Sequence, residues 1–387
     1  MIKERDFSHR STYPGETGNI FDVVLHRAEI IQRIPWPVFA LILLAYASLI
    51  AGFNFVISAT LLTFILVDWA LLAALPHARI SFGPPQPPIL VLAVLRSLFL
   101  IFPFPIFLIL QFIGTILVVY AFWIEPHRLS ISHQVLKTAK IKSQKPIRLL
   151  HLGDLHIEQI TRREKRLVQL VDELKPDIIL FSGDVLNLSC LNDPQSWSDA
   201  RAILSELHAP HGVFLVTGSP AVDVPAIMPA LLKNLPLRWL QDEKITVEFE
   251  EDKLDLIGMT CTHRPHIDSS HLEDLTSGDS ERFTILLYHS PDLVPAAARL
   301  GIDLQLSGHT HGGQVRLPGF GALFTGSLYG KAFESGRKQI DRLTLYVTRG
   351  IGMEGAAAPR VRFLCPPEII LWEISGCDTR EKIDQGE

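Results

Sequence analysis

A chain of 387 residues exceeds what one hydrophobic core usually serves, so two structural units are expected. A formal net charge of −5 gives no reason to propose nucleic acid as a partner. Cys190, Cys261, Cys365 and Cys377 form no CxxC pair, which argues against a thiolate zinc site and fits a reducing compartment.

Residues 1–35 read as a polar N-terminal tail, which brings the first apolar run too late for a cleaved secretory signal. Residues 36–124 read as a transmembrane helical region. From Trp36 to Leu75 the only formal charge is Asp68, and from Pro88 to Ile124 the only one is Arg96. A spanning helix needs about 20 apolar residues, so the first run holds two, broken near Gly52 to Phe55. In the second run Pro103 and Pro105 remove backbone donors and predict a tight turn between two more. Four helices are therefore expected; the length of uncharged sequence opposes the rival reading, a buried hairpin of a soluble protein. Asp68 and Arg96 are costly inside a bilayer and are expected to pair within the bundle or to sit near an interface.

Cytoplasmic flanks are enriched in Lys and Arg. Lys3, Arg5, Arg10, Arg27 and Arg33 precede the first helix, Arg79 lies between the second and third, and Arg128, Lys137, Lys140, Lys142 and Lys145 follow the fourth. Four spans thus place both termini and the following domain in the cytoplasm, in an integral, multi-pass membrane protein whose first partner is the lipid bilayer. Three spans would reverse the domain.

Residues 125–147 link membrane to globule and hold a first strand, hinted by the alternation of Leu129 and Ile131. In 148–375 strands and helices alternate. "IRLLHLGD", the helical "RREKRLVQLVDELK" and "DIILFSGD" make a βαβ unit. "GVFLVTG" is a further strand, followed by the helical "VPAIMPALLKNL"; "ITVEFEEDKLDLIGM" is two strands around a charged turn; "FTILLYHS", "IDLQLSGH", "LTLYVTRG" and "EIILWEIS" complete an α/β domain. Residues 376–387 read as a loose, charged C-terminal tail.

Aspartates and histidines recur at the ends of these strands: Asp154 and His156 in "GDLH", Asp184 in "SGD", His289 in "YHSPD", His309 and His311 in "GHTH". In extended chain residues i and i+2 point the same way, so each DxH and HxH pair is expected to reach one point. Two carboxylates and four imidazoles without a thiolate suit Mn, Fe or Zn rather than Ca. With an aspartate as bridge the set can hold two divalent ions, the arrangement that clamps a phosphoryl group and activates water. His263, His266 and His271 lack that strand context and read as loop histidines.

The motifs "LGDLH", "SGDV", "GVFLVTG", "ILLYHSPD", "LQLSGHTHGGQVRLP", "LYVTRGIG" and "RVRFLCPPEI" resemble those of the calcineurin-like metallophosphoesterases, in particular the membrane-tethered bacterial phosphohydrolase branch. The resemblance covers about Glu125 to Ile374. It implies a double β-sandwich flanked by helices, with Asp154, His156, Asp184 and His311 around a first metal, Asp184 bridging, and His289 and His309 on a second. Asp184 and His309 are the residues expected to serve catalysis most directly. One motif departs. After "GVFLVTG" the family continues Asn-His-Asp or Asn-His-Glu, whereas this chain has Ser219 and Pro220 in "GSPAVD". Ser219 holding a water, or Asp223 swinging in, are the substitutes expected for the lost second-metal ligand; otherwise that site is weak.

The leading reading is a membrane-anchored, metal-dependent enzyme that hydrolyses a phosphomonoester or phosphodiester, lipid-linked substrates included, through metal-bound hydroxide. Arg316 and Arg349 are expected to steady the phosphate. The alternative is a catalytically inactive protein of the same fold that binds metal or a phosphate ligand. The oligomeric state is left open.

Overall fold

The computed structural model describes residues 4–276 and 281–377; the charged tail expected at the C-terminus lies, beyond Cys377, outside the described residues. The chain begins with helix α1 (Ile20–Gln32), whose N-cap Asn19 accepts from the Asp22 amide. Four apolar helices follow: α2 (Trp36–Ile50), α3 (Phe55–Ala74), α4 (Gln86–Ser97) and α5 (Phe104–Val119). Asn54 caps α3, and Pro103 and Pro105 open α5, so the two breaks fall where Gly52 to Phe55 and the proline pair placed them.

Among the described residues, two helices are by length and composition suited to crossing a membrane: Phe55–Ala74 and, with the tighter and wider turns that extend α5, Phe104–His127. A third exists only if α1 and α2, bent by 105°, count as one. The expected four spans are thus reduced to two or three. At about 1.5 Å per residue, the 15 residues of α2 rise roughly 22 Å, short of a hydrocarbon core of about 30 Å. Asp68 and Arg96 do pair: the guanidinium Nε and Nη2 lie 2.5 and 2.6 Å from the two carboxylate oxygens. Gln111 and Thr115 of α5 accept its remaining protons. The desolvated cation is satisfied inside the bundle and ties α3, α4 and α5 together.

The α/β domain runs β1 (Ser130–Thr138), β2 (Ile147–Leu152), α6 (Arg162–Leu174), β3 (Ile178–Phe181), α7 (Pro194–Glu206), β4 (Val213–Leu215), α8 (Met228–Leu232), β5 (Arg238–Trp239), β6 (Glu243–Phe249), β7 (Asp252–Gly258), α9 (Pro265–Thr276), β8 (Phe283–Leu287), α10 (Val294–Arg299), β9 (Leu304–Ser307), β10 (Arg316–Leu317), β11 (Gly321–Ala322), β12 (Gly336–Ile340), β13 (Leu343–Val347) and β14 (Glu368–Gly376). Two mixed sheets result, ordered β1-β14-β2-β3-β4-β5 and β12-β13-β9-β8-β7-β6, with β10 and β11 as a separate hairpin. Alternate residues of both inner faces, among them Leu149, Leu180, Phe214, Leu256, Ile285, Leu304 and Trp372, fill the space between the sheets. A second apolar layer lies under α6 and α7 and a third under α9 and α10, which gives the helix-flanked sandwich.

β2, β3 and β4 are mutually parallel, as are β7, β8 and β9. Each set therefore delivers its C-terminal loops to one edge, and the chemistry-bearing residues collect there. Residues 4–32, expected as a polar tail, are packed across that edge. Tyr13 is buried, Phe7 meets the Tyr329 ring edge-on, Phe21 stacks on Phe324, and Glu16 pairs with Arg264 at 2.6 Å. Three aromatic anchors spaced through a polar stretch supply contacts that average composition conceals.

Candidate metal centre

Asp154 and His156 lie in the loop after β2, Asp184 after β3, Ser219 after β4, His263 after β7, His289 after β8, and His309 and His311 after β9. Asp154, His156, Asp184, His263, His309 and His311 all have left-handed backbone, with φ between 44° and 72°. For residues other than glycine this costs roughly 1–3 kcal/mol each and persists only where the surroundings impose it. The DxH and HxH pairs are consequently not extended, and the i, i+2 expectation fails for one of them. Asp154 and His156 converge, but His309 and His311 point into different clusters.

The first cluster is Asp154, His156, Asp184 and His311, whose ligand atoms all lie within 4.8 Å of one another. His156 Nε2 and His311 Nε2 face each other at 3.0 Å, and the buried Asp154 Oδ2 has no hydrogen-bond partner. Lone pairs crowded in this way fit a cation. The second cluster is His263, His289 and His309, again within 4.8 Å. His289 Nδ1 lies 2.8 Å from the Ser182 carbonyl and His309 Nε2 lies 3.3 Å from that of Gly326. A carbonyl accepts only, so these nitrogens carry protons, and His289 Nε2 and His309 Nδ1 are the ring nitrogens turned inward, each able to offer a lone pair to a cation when its ring is neutral. Asp184 stands between the two clusters. Its Oδ2 is 3.4 Å from His156 Nε2 on one side and 3.4 Å from His289 Nε2 on the other.

The loops leave no slack. The His309 amide donates to Asp154 Oδ1 at 2.8 Å, and the Ser219 amide to Asp184 Oδ1 at 2.7 Å. A Cβ on Gly218 would come within 2.1 Å of Asp184 Oδ1, and one on Gly308 within 2.4 Å of Asp154 Oδ2, so these glycines permit close approach. The electrostatics divide the set. Burial pushes the Asp154 carboxyl up to about 6. Burial also opposes ionisation of Asp184, but the His289 charge and hydrogen bonds from His156 and His289 outweigh it and hold this carboxyl well below the usual range. His289 rises to about 9 despite burial, because the Asp184 carboxylate favours its cation; His309 falls to about 3 through burial and the His289 charge.

Three expectations need correction. Asp223 does not reach the second cluster: its carboxylate accepts from the amides of Asp184, Val185 and Gly218 at 2.7, 3.0 and 2.7 Å, stapling the loops after β3 and β4. Arg316 is held by Glu334 at 2.7 Å and Arg349 by Glu368 at 2.8 Å, so both guanidinium groups are engaged within the fold. His266 and His271, expected in a loop, belong to α9; His263 does lie in a loop but is buried against His309, with ring centroids 4.3 Å apart. The signal for His263 was indirect. A missing ligand in "GSPAVD" calls for a replacement, and β7 ends at the same sheet edge five residues earlier.

The sequence profile of calcineurin-like phosphoesterases matches residues 147–313, the segment that supplies both clusters. Over this segment the chain is similar to the calcineurin-like phosphoesterases. Relatives include the metallophosphoesterase YkuE of Bacillus subtilis, 29% identical over 272 residues that cover 66% of this chain and 88% of YkuE. The phosphodiesterase YaeI of Escherichia coli is 24% identical over 232 residues, covering 59% of this chain and 82% of YaeI. The UDP-2,3-diacylglucosamine pyrophosphatase LpxG of Chlamydia trachomatis is 23% identical over 284 residues, covering 58% of this chain and 82% of LpxG. Members of the family are hydrolases of phosphate esters and depend on two metals, and the Asp and His clusters are able to bind metal.

Proposed function

We propose that this metallophosphoesterase is anchored in a membrane and hydrolyses a phosphomonoester or phosphodiester whose alcohol part is lipid-linked, with Asp154, His156, Asp184 and His311 holding one divalent ion and His289 and His309 contributing to a second. The observation that carries this reading is the position of Asp184 Oδ2, equidistant from an imidazole of each cluster. When bound, Mn, Fe or Zn ions neutralise phosphate oxygens and activate water. The protein supplies placement. The Ser219 amide fixes Asp184 through Oδ1, and residues 12–25 roof the site and limit the entry of bulk water.

A cavity of about 410 Å³ opens from Asp184, His309 and His311 between α1 and the loop carrying Phe324. Ile20, Phe21, Val24 and Leu25 line its far side, which suits an aliphatic chain, and the diacylated substrate named for LpxG supports the same class. Contact between residues 4–32 and the domain favours an even number of crossings between them, and the Lys and Arg distribution favours the cytoplasmic side. The full chain in detergent with added Mn is expected to hydrolyse lipid-linked phosphate esters, with Asp184→Asn inactive. Absence of turnover on lipid-linked and water-soluble esters with Mn, Fe or Zn would favour the binding-protein alternative, which the loss of the Asn-His pair at Ser219 and Pro220 keeps open.

A further inference from the structure

We infer that His263 is a ligand of the second cation and replaces the asparagine that this chain lacks. The inference rests on the metal-dependent reading above but concerns a residue outside the motifs that led to it.

Ser219 stands where the family resemblance implies an amide ligand, and its hydroxyl lies among three imidazoles. Oγ is 3.1 Å from His263 Nε2, 3.2 Å from His289 Nε2 and 3.5 Å from His309 Nδ1. The carbonyls behind His289 and His309 turn the other nitrogen of each ring inward, so with His263 three ring nitrogens within 4.8 Å of one another face a single serine oxygen, and a cation there can take a lone pair from each ring once it is neutral. A cation seated among the rings accepts from all of them, with Ser219 left beside it as a hydrogen-bonding neighbour.

The backbone agrees. His263 has φ of 60°, the left-handed conformation that Asp154, His156, Asp184, His309 and His311 also adopt at this edge, and it turns the loop after β7 toward the other rings. Its environment is also built around the ring. Gly15 from the N-terminal segment packs on the imidazole so closely that a Cβ there would lie 2.2 Å from Nε2. Cys261, two residues earlier, is buried in the layer under α9, which anchors the loop from the other side. A longer ligand arriving from β7 thus offsets a shorter side chain on β4, and the count of nitrogen and oxygen donors at the second site is kept.

The test is metal content of the full chain in detergent, loaded with Mn and freed of excess ion. Wild type is expected to retain about two equivalents and His263→Ala about one. Its affinity for the second equivalent should fall by roughly 100-fold or more, beyond the 10- to 100-fold typical of an outer-shell partner. Low-temperature EPR of the variant should show an isolated ion where wild type shows a spin-coupled pair. Ser219→Asn added to His263→Ala should restore the second equivalent. If His263→Ala loses structure, as judged by loss of the first equivalent, His263→Asn serves instead: it keeps an oxygen donor, and a weakened second equivalent is expected. Two equivalents bound with unchanged affinity in either variant would overturn the assignment, as would a single equivalent in wild type. Turnover enters none of these readouts, so an inactive protein that still loses one ion on His263→Ala would sink the enzymatic reading and leave this one standing.

Discussion

The two clusters share a carboxylate, a sheet edge and a strained backbone, yet they differ in how they are assembled. The first takes all its donors from short motifs, DxH, GD and the last histidine of HxH, each on a loop directly after a strand. The second takes His289 and His309 from such motifs and His263 from a longer loop. A site built wholly from strand-end motifs is hard to rewire, because each ligand's position follows from the sheet. A site with one loop-borne donor is less tightly fixed by the sheet, and Ser219 in "GSPAVD" faces the three rings of that site.

The comparison can be broken most severely at the residue common to both clusters. Asp184→Asn is expected to lower turnover by about 1000-fold or more and to reduce bound metal at both sites, measured together on one preparation. Asp223→Ala comes next. It leaves three buried amides of the Asp184 and Gly218 loops without an acceptor, and a loss of roughly 3 kcal/mol is expected in denaturant unfolding of the domain. Gly15→Ala separates the clusters: the added methyl displaces His263, so the second equivalent should weaken by about 10-fold while the first is unchanged, read by Mn titration. Arg316→Ala should touch neither cluster, changing kcat/KM by less than about twofold; because Glu334 holds its guanidinium, a loss of 10-fold or more would mean that it reaches substrate after all.

Much of this was legible because it depends on period and spacing. The uncharged runs around Asp68 and Arg96 marked the apolar helices, and the prolines at 103 and 105 marked their turn. Strand alternation marked the strands of both sheets except β5 and β12, and the six residues it placed at strand ends lie in the two clusters. What stayed hidden depends on tertiary packing. Nothing in the local sequence of Asp223, Arg316 or Arg349 shows that amides or Glu334 and Glu368 have already claimed their charges. The packing of Tyr13 and Gly15 over the site joins residues far apart in the chain, and the length of α2 was set by a helix break whose place, but not whose effect on spanning, could be read.

The most direct measurement is an anomalous-scattering map of crystals of the Mn-loaded chain. Two peaks are expected on either side of Asp184, one among Asp154, His156 and His311 and the other among His263, His289 and His309. A single peak, or a second one out of reach of His289 and His309, would contradict the view that one carboxylate joins two metal sites at this edge.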